Sequence, residues 1–215
     1  MNKNKLTIEQ KKQILLAIFI GSLVLVNTIG SKITSILGVR VSVGIFFLPV
    51  LFVITDIIGE VFGKKEGLFF VKIAIGYLIA MLALVFLCIK IKPDTSYHFQ
   101  KEYEIIFSSS LRMTFASIIS FIISQNFDVL AFDFIKKITS GKMLWLRNNV
   151  STIISQFIDT TIFMFVAFYH MTPTFTTSYI FSLILPYWIF KIILAFLDTP
   201  ICYLGVKWFK EKKDK

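Results

Sequence analysis

The sequence predicts an all-α integral membrane protein with six transmembrane helices and both termini on the cytoplasmic side. Three observations carry this. The chain of 215 residues is 56% hydrophobic, holds 24 Phe and has a mean hydropathy of +0.76, whereas soluble domains lie nearer about 45–50% apolar. Its apolar runs number six, each near the roughly 20 residues that cross a hydrocarbon core. Sixteen of the 23 Lys and Arg fall at the termini and in or beside the second-to-third and fourth-to-fifth links, against six in the opposite loops. Positive charge gathers on the cytoplasmic side, and two cytoplasmic termini require an even number of spans.

Residues 1–13 are polar and basic (Lys3, Lys5, Lys11, Lys12) and are expected to be frayed or interfacial. The first span covers about 14–29, with Asn27 at its far end. The link 32–40, which contains Gly38, reads as a broken or interfacial turn. The second span, about 41–62, meets Pro49 in its first third, and proline frees a carbonyl that a neighbouring helix or wet cavity must satisfy. Asp56 and Glu60 follow, four apart and hence on one face. Gly59 and Gly63 share that spacing, which permits close helix contact.

The third span, about 68–89, is plain packing and lipid-facing material after Lys72. Residues 90–111 form the longest polar connection. In the fourth span, about 112–135, Ser117, Ser120, Ser124 and Asp128 share a face with Gln125 beside them. The fifth span, about 144–168, carries Asn148, Thr152, Ser155, Gln156 and Asp159 on one helical stripe. The sixth, about 179–208, contains Pro186, Lys191, Asp198 and Pro200. Residues 1–215 thus form one six-span domain, with no room for a separate soluble one.

Spans four and five echo each other: Ile122-Ile-Ser-Gln-Asn-Phe-Asp128 and Ile153-Ile-Ser-Gln-Phe-Ile-Asp159 share Ile-Ser-Gln-x-x-Asp. Three spans per half would also permit an inverted 3+3 pseudo-repeat.

Several function classes fall away. The net charge of +10 is spread as a topology signal, not as a nucleic-acid face. No GxxxxGK[ST], HExxH or GxSxG run is present, so no enzyme, catalytic residue, metal or cofactor is expected. Cys88 and Cys202 lie in apolar surroundings without CxxC spacing, and His98 and His170 stand apart. What remains is a set of polar groups inside the spans. A carboxylate near mid-bilayer costs about 2.5–3.5 kcal/mol on insertion scales, so such residues mark pathways by default. Part of the set could simply hold helices together. A planar polar solute accounts for the mixture better, because carboxylates accept paired N–H donors and Gln or Asn amides offer donors and acceptors in one plane.

At these residues the sequence resembles the queuosine-precursor transporter family, also described as vitamin uptake transporters. The likeness rests on Asn27 with Lys32, the run Thr55–Gly63, Ser124–Asp128, Trp145–Thr160, and Lys191 through Asp198-Thr-Pro200. Phe62 is a departure, since Tyr is expected there. The resemblance implies a multi-pass importer of the bacterial inner membrane. Its substrates would be 7-deazaguanines used to modify tRNA: the 7-cyano or 7-aminomethyl precursor, or queuine. Gln125, Asp128, Gln156 and Asp159 are expected at the ring, and Asp56, Glu60 and Asn27 lining the site, with Asp56 or Glu60 also able to carry a proton. Arg147, Asn148, Lys191 and Asp198 are expected to support them. A homodimer remains open, as does an alternative role as the substrate-binding subunit of an energy-coupling-factor vitamin importer.

Overall fold

The computed structural model describes the backbone of residues 6–36, 38–140 and 144–210. Side chains at 64, 129, 132–133, 136, 144–149, 195–196 and 198–199 are left aside. The helices are α1 (Ile8–Ile29), α2 (Leu48–Phe62), α3 (Lys64–Lys90), α4 (Gln100–Ile138), α5 (Leu144–Phe168) and α6 (Thr177–Lys210), and among the described residues they give six stretches long and apolar enough to cross a membrane, the second being α2 with the 3-10 turn before it (Val43–Phe62). The chain is a multi-pass helical membrane protein.

Helix α1 starts earlier than its hydropathy indicates, for two reasons. Thr7 and Gln10 form a reciprocal capping box, with Gln10 N donating to Thr7 Oγ1 at 3.1 Å and Thr7 N to Gln10 Oε1 at 2.8 Å, satisfying two orphan donors. One turn in, Lys11 is buried, its ammonium donating to the Trp208 carbonyl and lying 4.8 Å from the Trp208 ring centroid. Lys12 pairs with Glu66 at the start of α3. The beginning of α1 and the end of α6 therefore meet at one end of the bundle.

At the other end, the predicted broken turn is an antiparallel hairpin. Strands β1 (Ile33–Ile36) and β2 (Val39–Ser42) pair from Ile33 with Ser42 to Ile36 with Val39, and Gly38 takes φ +81° in the turn, a conformation open to glycine without strain. Ser42 then donates to the Gly30 carbonyl at 2.5 Å and caps a 3-10 turn (Val43–Phe47) by accepting from Gly44 N at 3.1 Å. Backbones nearly touch here: a Cβ on Gly44 would lie 3.3 Å from Gly30 Cα. Contrary to the sequence expectation, Pro49 does not interrupt the helix of the second span. It sits in the first turn of α2, where its missing N–H is an orphan anyway.

Residues 100–111, expected to be a polar connection, belong to α4. At 39 residues that helix is about 58 Å long at 1.5 Å per residue and projects well past the bilayer at the hairpin end. Arg112, one turn inside the apolar part, staples α4 to α5. Its Nε donates to the Val166 carbonyl at 2.7 Å and an Nη to that of Tyr169, satisfying carbonyls that a helix C-terminus leaves unpaired.

Two clusters of buried side chains hold the bundle. One joins α1, α2, α3 and the end of α6 through Phe19, Ile54, Ile58, Phe70 and Phe209. The other joins β2, the 3-10 turn, α4, α5 and the start of α6 through Val41, Ile45, Met113, Met164, Phe168, Ile180, Leu183 and Tyr187. Among lipid tails the hydrophobic effect favours neither association nor separation, so close packing carries these contacts.

Candidate functional site

Between the two clusters lies a cavity of about 360 Å³, within the size range of small-ligand pockets (about 300–1,000 Å³). All six helices contribute to its wall. Helices α1 to α3 give an apolar side (Phe19, Leu23, Val26, Leu51, Phe52, Ala74, Leu78) broken by Thr55. Helices α4 to α6 give the polar side: Ser117, Ser120, Ser124 and Gln125, then Ser155, Gln156 and Asp159, then Tyr187 and Lys191.

Helical periodicity explains which residues face inward. On α4 the wall follows the 3–4 spacing Ser117, Ser120 or Phe121, Ser124 or Gln125; on α5 it follows Ser155 or Gln156, Asp159, Phe163. The serines do not leave unpaired hydroxyls here: Ser120 and Ser124 donate to the carbonyls of Ser117 and Phe121, and Ser155 to Thr152. Gln156 differs. Its Oε1 is buried and has no hydrogen-bond partner, so its accepting capacity is unused by the protein.

The charged centre of the wall is an ion pair. Lys191 Nζ donates to Asp159 Oδ2 at 2.7 Å, and both side chains are largely buried. Their helices are held together beside the pair by Phe157, edge-on to Trp188 at 5.2 Å, and by Trp188 Nε1 donating to the Ile153 carbonyl at 3.3 Å. Lys191 also lies 5.8 Å from the Tyr187 ring one turn earlier on α6.

The cavity is closed toward the hairpin. On every helix of the second cluster, the buried residues stand about one turn nearer that end than the wall: Met113 and Ala116 before Ser117, Met164 and Phe168 after Phe163, Leu183 and Ile184 before Tyr187. Gln125 on the wall is exposed.

Of the expected site residues, the fold gathers Gln125, Gln156 and Asp159 on the wall, together with Lys191. Asn27 is buried behind it: its Oδ1 accepts from Ser117 Oγ at 2.8 Å and its Nδ2 donates to the Leu23 carbonyl at 2.9 Å, tying α1 to α4. Asp128 lies off the wall, with one carboxylate oxygen buried and unpartnered. Asp56 and Glu60 are exposed and off the wall. With Leu48, Leu51, Phe52 and Thr55 turned inward, 100° per residue carries Asp56 and Glu60 round the helix. The side chains of Arg147, Asn148 and Asp198 lie outside the described residues. Sequence reasoning did not single out Phe52, Phe121, Phe163 or Tyr187. The signal was present, since Phe121, Phe163 and Tyr187 stand four residues from Gln125, Asp159 and Lys191 respectively.

Comparison with known proteins places this arrangement. Residues 42–205 match the family described as "Putative vitamin uptake transporter". The chain belongs to this family. The matched region runs from the end of β2 into α6 and includes the Gln125, Gln156, Asp159 and Lys191 wall. A Bacillus subtilis (strain 168) protein named "Probable queuosine precursor transporter" is 29% identical over 177 residues, which cover 82% of this chain and 76% of that protein. No solved structure matches the chain. A vitamin uptake transporter is a membrane carrier of small molecules, and the half-polar cavity enclosed by six apolar helices suits that role.

Proposed function

We propose that this chain imports a queuosine precursor, a 7-deazaguanine base salvaged for tRNA modification, across the bacterial inner membrane by secondary active transport. The observation that carries the proposal is the polar wall of the cavity. Gln156 presents an unpartnered carbonyl oxygen beside an Asp159–Lys191 pair, opposite apolar and phenyl surfaces. A deazaguanine is flat, with N–H donors on one edge and a carbonyl on the ring. Gln156 Oε1 and the second Asp159 oxygen accept the donors, Lys191 or the Gln125 amide serves the carbonyl, and Phe121 or Phe163 lies against the ring face. Asp128, Asp56 and Glu60, which lie in the spans but off the wall, are available to carry a coupling proton.

Basic residues on the terminus side set that side in the cytoplasm. The hairpin cluster would then close the cavity on the outer side. The direct test is rescue of queuosine-modified tRNA in a bacterium lacking both its own importer and precursor synthesis, fed separately with the 7-cyano, 7-aminomethyl and queuine forms. Rescue by at least one form is expected, and none by any form would sink the reading. Rescue without an energy-coupling-factor partner in the host would also exclude the capture-subunit role.

A further inference from the structure

We infer that the cavity selects an uncharged ring over one bearing an ammonium group, and that Lys191 is the residue that sets this choice. The inference rests on the importer reading and concerns which form of the substrate is carried.

Among the described wall residues, only Asp159 and Lys191 carry charge, and they neutralise each other at 2.7 Å. The remaining described carboxylates of the spans, Asp56, Glu60 and Asp128, do not reach the wall. An uncharged ring therefore meets suitable partners without disturbing the pair: the free Gln156 Oε1, the second Asp159 oxygen and the Lys191 ammonium.

A 7-aminomethyl ring brings a primary amine, protonated near neutral pH like the Lys side chain. That cation must shed water to enter a half-apolar cavity. The charge of the wall carboxylate is already balanced by Lys191, which itself places a like charge on the wall, an effect a low-dielectric site amplifies. The 7-cyano form meets neither obstacle. Discrimination then comes from repulsion built into the site rather than from an added attraction. Removing the Lys191 charge leaves Asp159 unpaired and turns the same wall into a cation site.

The experiment is uptake of labelled 7-cyano-7-deazaguanine into proteoliposomes carrying the full chain, with unlabelled competitors. The 7-aminomethyl form should compete more weakly than unlabelled 7-cyano by a factor on the order of ten or more, the scale of one unfavourable buried charge contact. A 7-hydroxymethyl analogue matches the aminomethyl group in size without its charge, and should compete nearly as well as the cyano form. In Lys191→Met the order should reverse toward the aminomethyl form, while Lys191→Arg should keep the original order. Equal competition by cyano and aminomethyl forms in the unaltered protein would overturn the inference and leave the importer reading standing. So would a hydroxymethyl analogue as weak as the aminomethyl one, since size would then decide. If Lys191→Met does not insert, Lys191→Gln, which removes the charge but can still donate to Asp159, should show the same shift toward the aminomethyl form; the original order kept in that variant would count against the inference. Failure of every 7-deazaguanine to enter with the unaltered protein would remove the importer reading and this one with it.

Discussion

The hexapeptide pattern Ile-Ser-Gln-x-x-Asp occurs on α4 and again on α5, and the copies meet different surroundings. Both serines are buried and donate to their own helix, and both glutamines reach the cavity. On α5 the Gln oxygen is buried and free while the Asp is paired with Lys191. On α4 the Gln is exposed while the Asp keeps a buried, unpartnered oxygen. The pattern fixes which face each side chain takes, and the neighbouring helix decides what it does there. Helix α5 packs against α6, which supplies an ammonium; α4 packs against α1 and α3, whose wall residues are apolar.

Changes at the two copies should therefore be unequal. Asp159→Asn should have the largest effect, because losing one partner of a buried pair costs about 3–5 kcal/mol. Uptake should fall at least a hundredfold, with a lower melting temperature in detergent, and unchanged uptake would break the comparison. Gln156→Ala should come next, with substrate affinity falling about tenfold, since a well-placed hydrogen bond contributes roughly 1 ± 0.5 kcal/mol. Its melting temperature should stay nearly constant, because Oε1 has no partner in the protein to lose. Gln125→Ala, at an exposed position of the wall, should cost only a few-fold in affinity, as expected for a hydrogen bond that is not fully buried. Asp128→Asn should do least to binding and should raise the melting temperature slightly, because a buried carboxylate without a partner is costly to keep. Loss of substrate affinity in Asp128→Asn as large as in Asp159→Asn would place the copies on an equal footing.

Much of the fold was legible because bilayer thickness and hydropathy leave few options: the six apolar runs answer to six stretches of helix long and apolar enough to cross a membrane among the described residues. The hairpin was not, since two four-residue strands give little periodicity and are held by a Ser42 bond to a carbonyl twelve residues away. Nor was the true start of α4, because residues 100–111 mix charges with apolar residues and read as a loop. At the site, the stripe on α5 was readable by angle alone. The partner of Lys191 was not. Asp198 is seven residues along the same helix, but the ammonium reaches Asp159 on the next one, a matter of packing rather than spacing. Asp56 and Glu60 look equally suited to the cavity on paper, and only the rotation of α2 turns them away.

Arg112 has a mechanical consequence. Helices α4 and α5 are joined by chain near residues 139–143 at one end and by its guanidinium on the α5 carbonyls at the other. Fastened at both ends, the two rods cannot scissor apart and must swing as one lever. The Asn27–Ser117 bond to α1 sits little more than one turn from the Arg112 end of that arm, where a fulcrum would give the far end the longer swing.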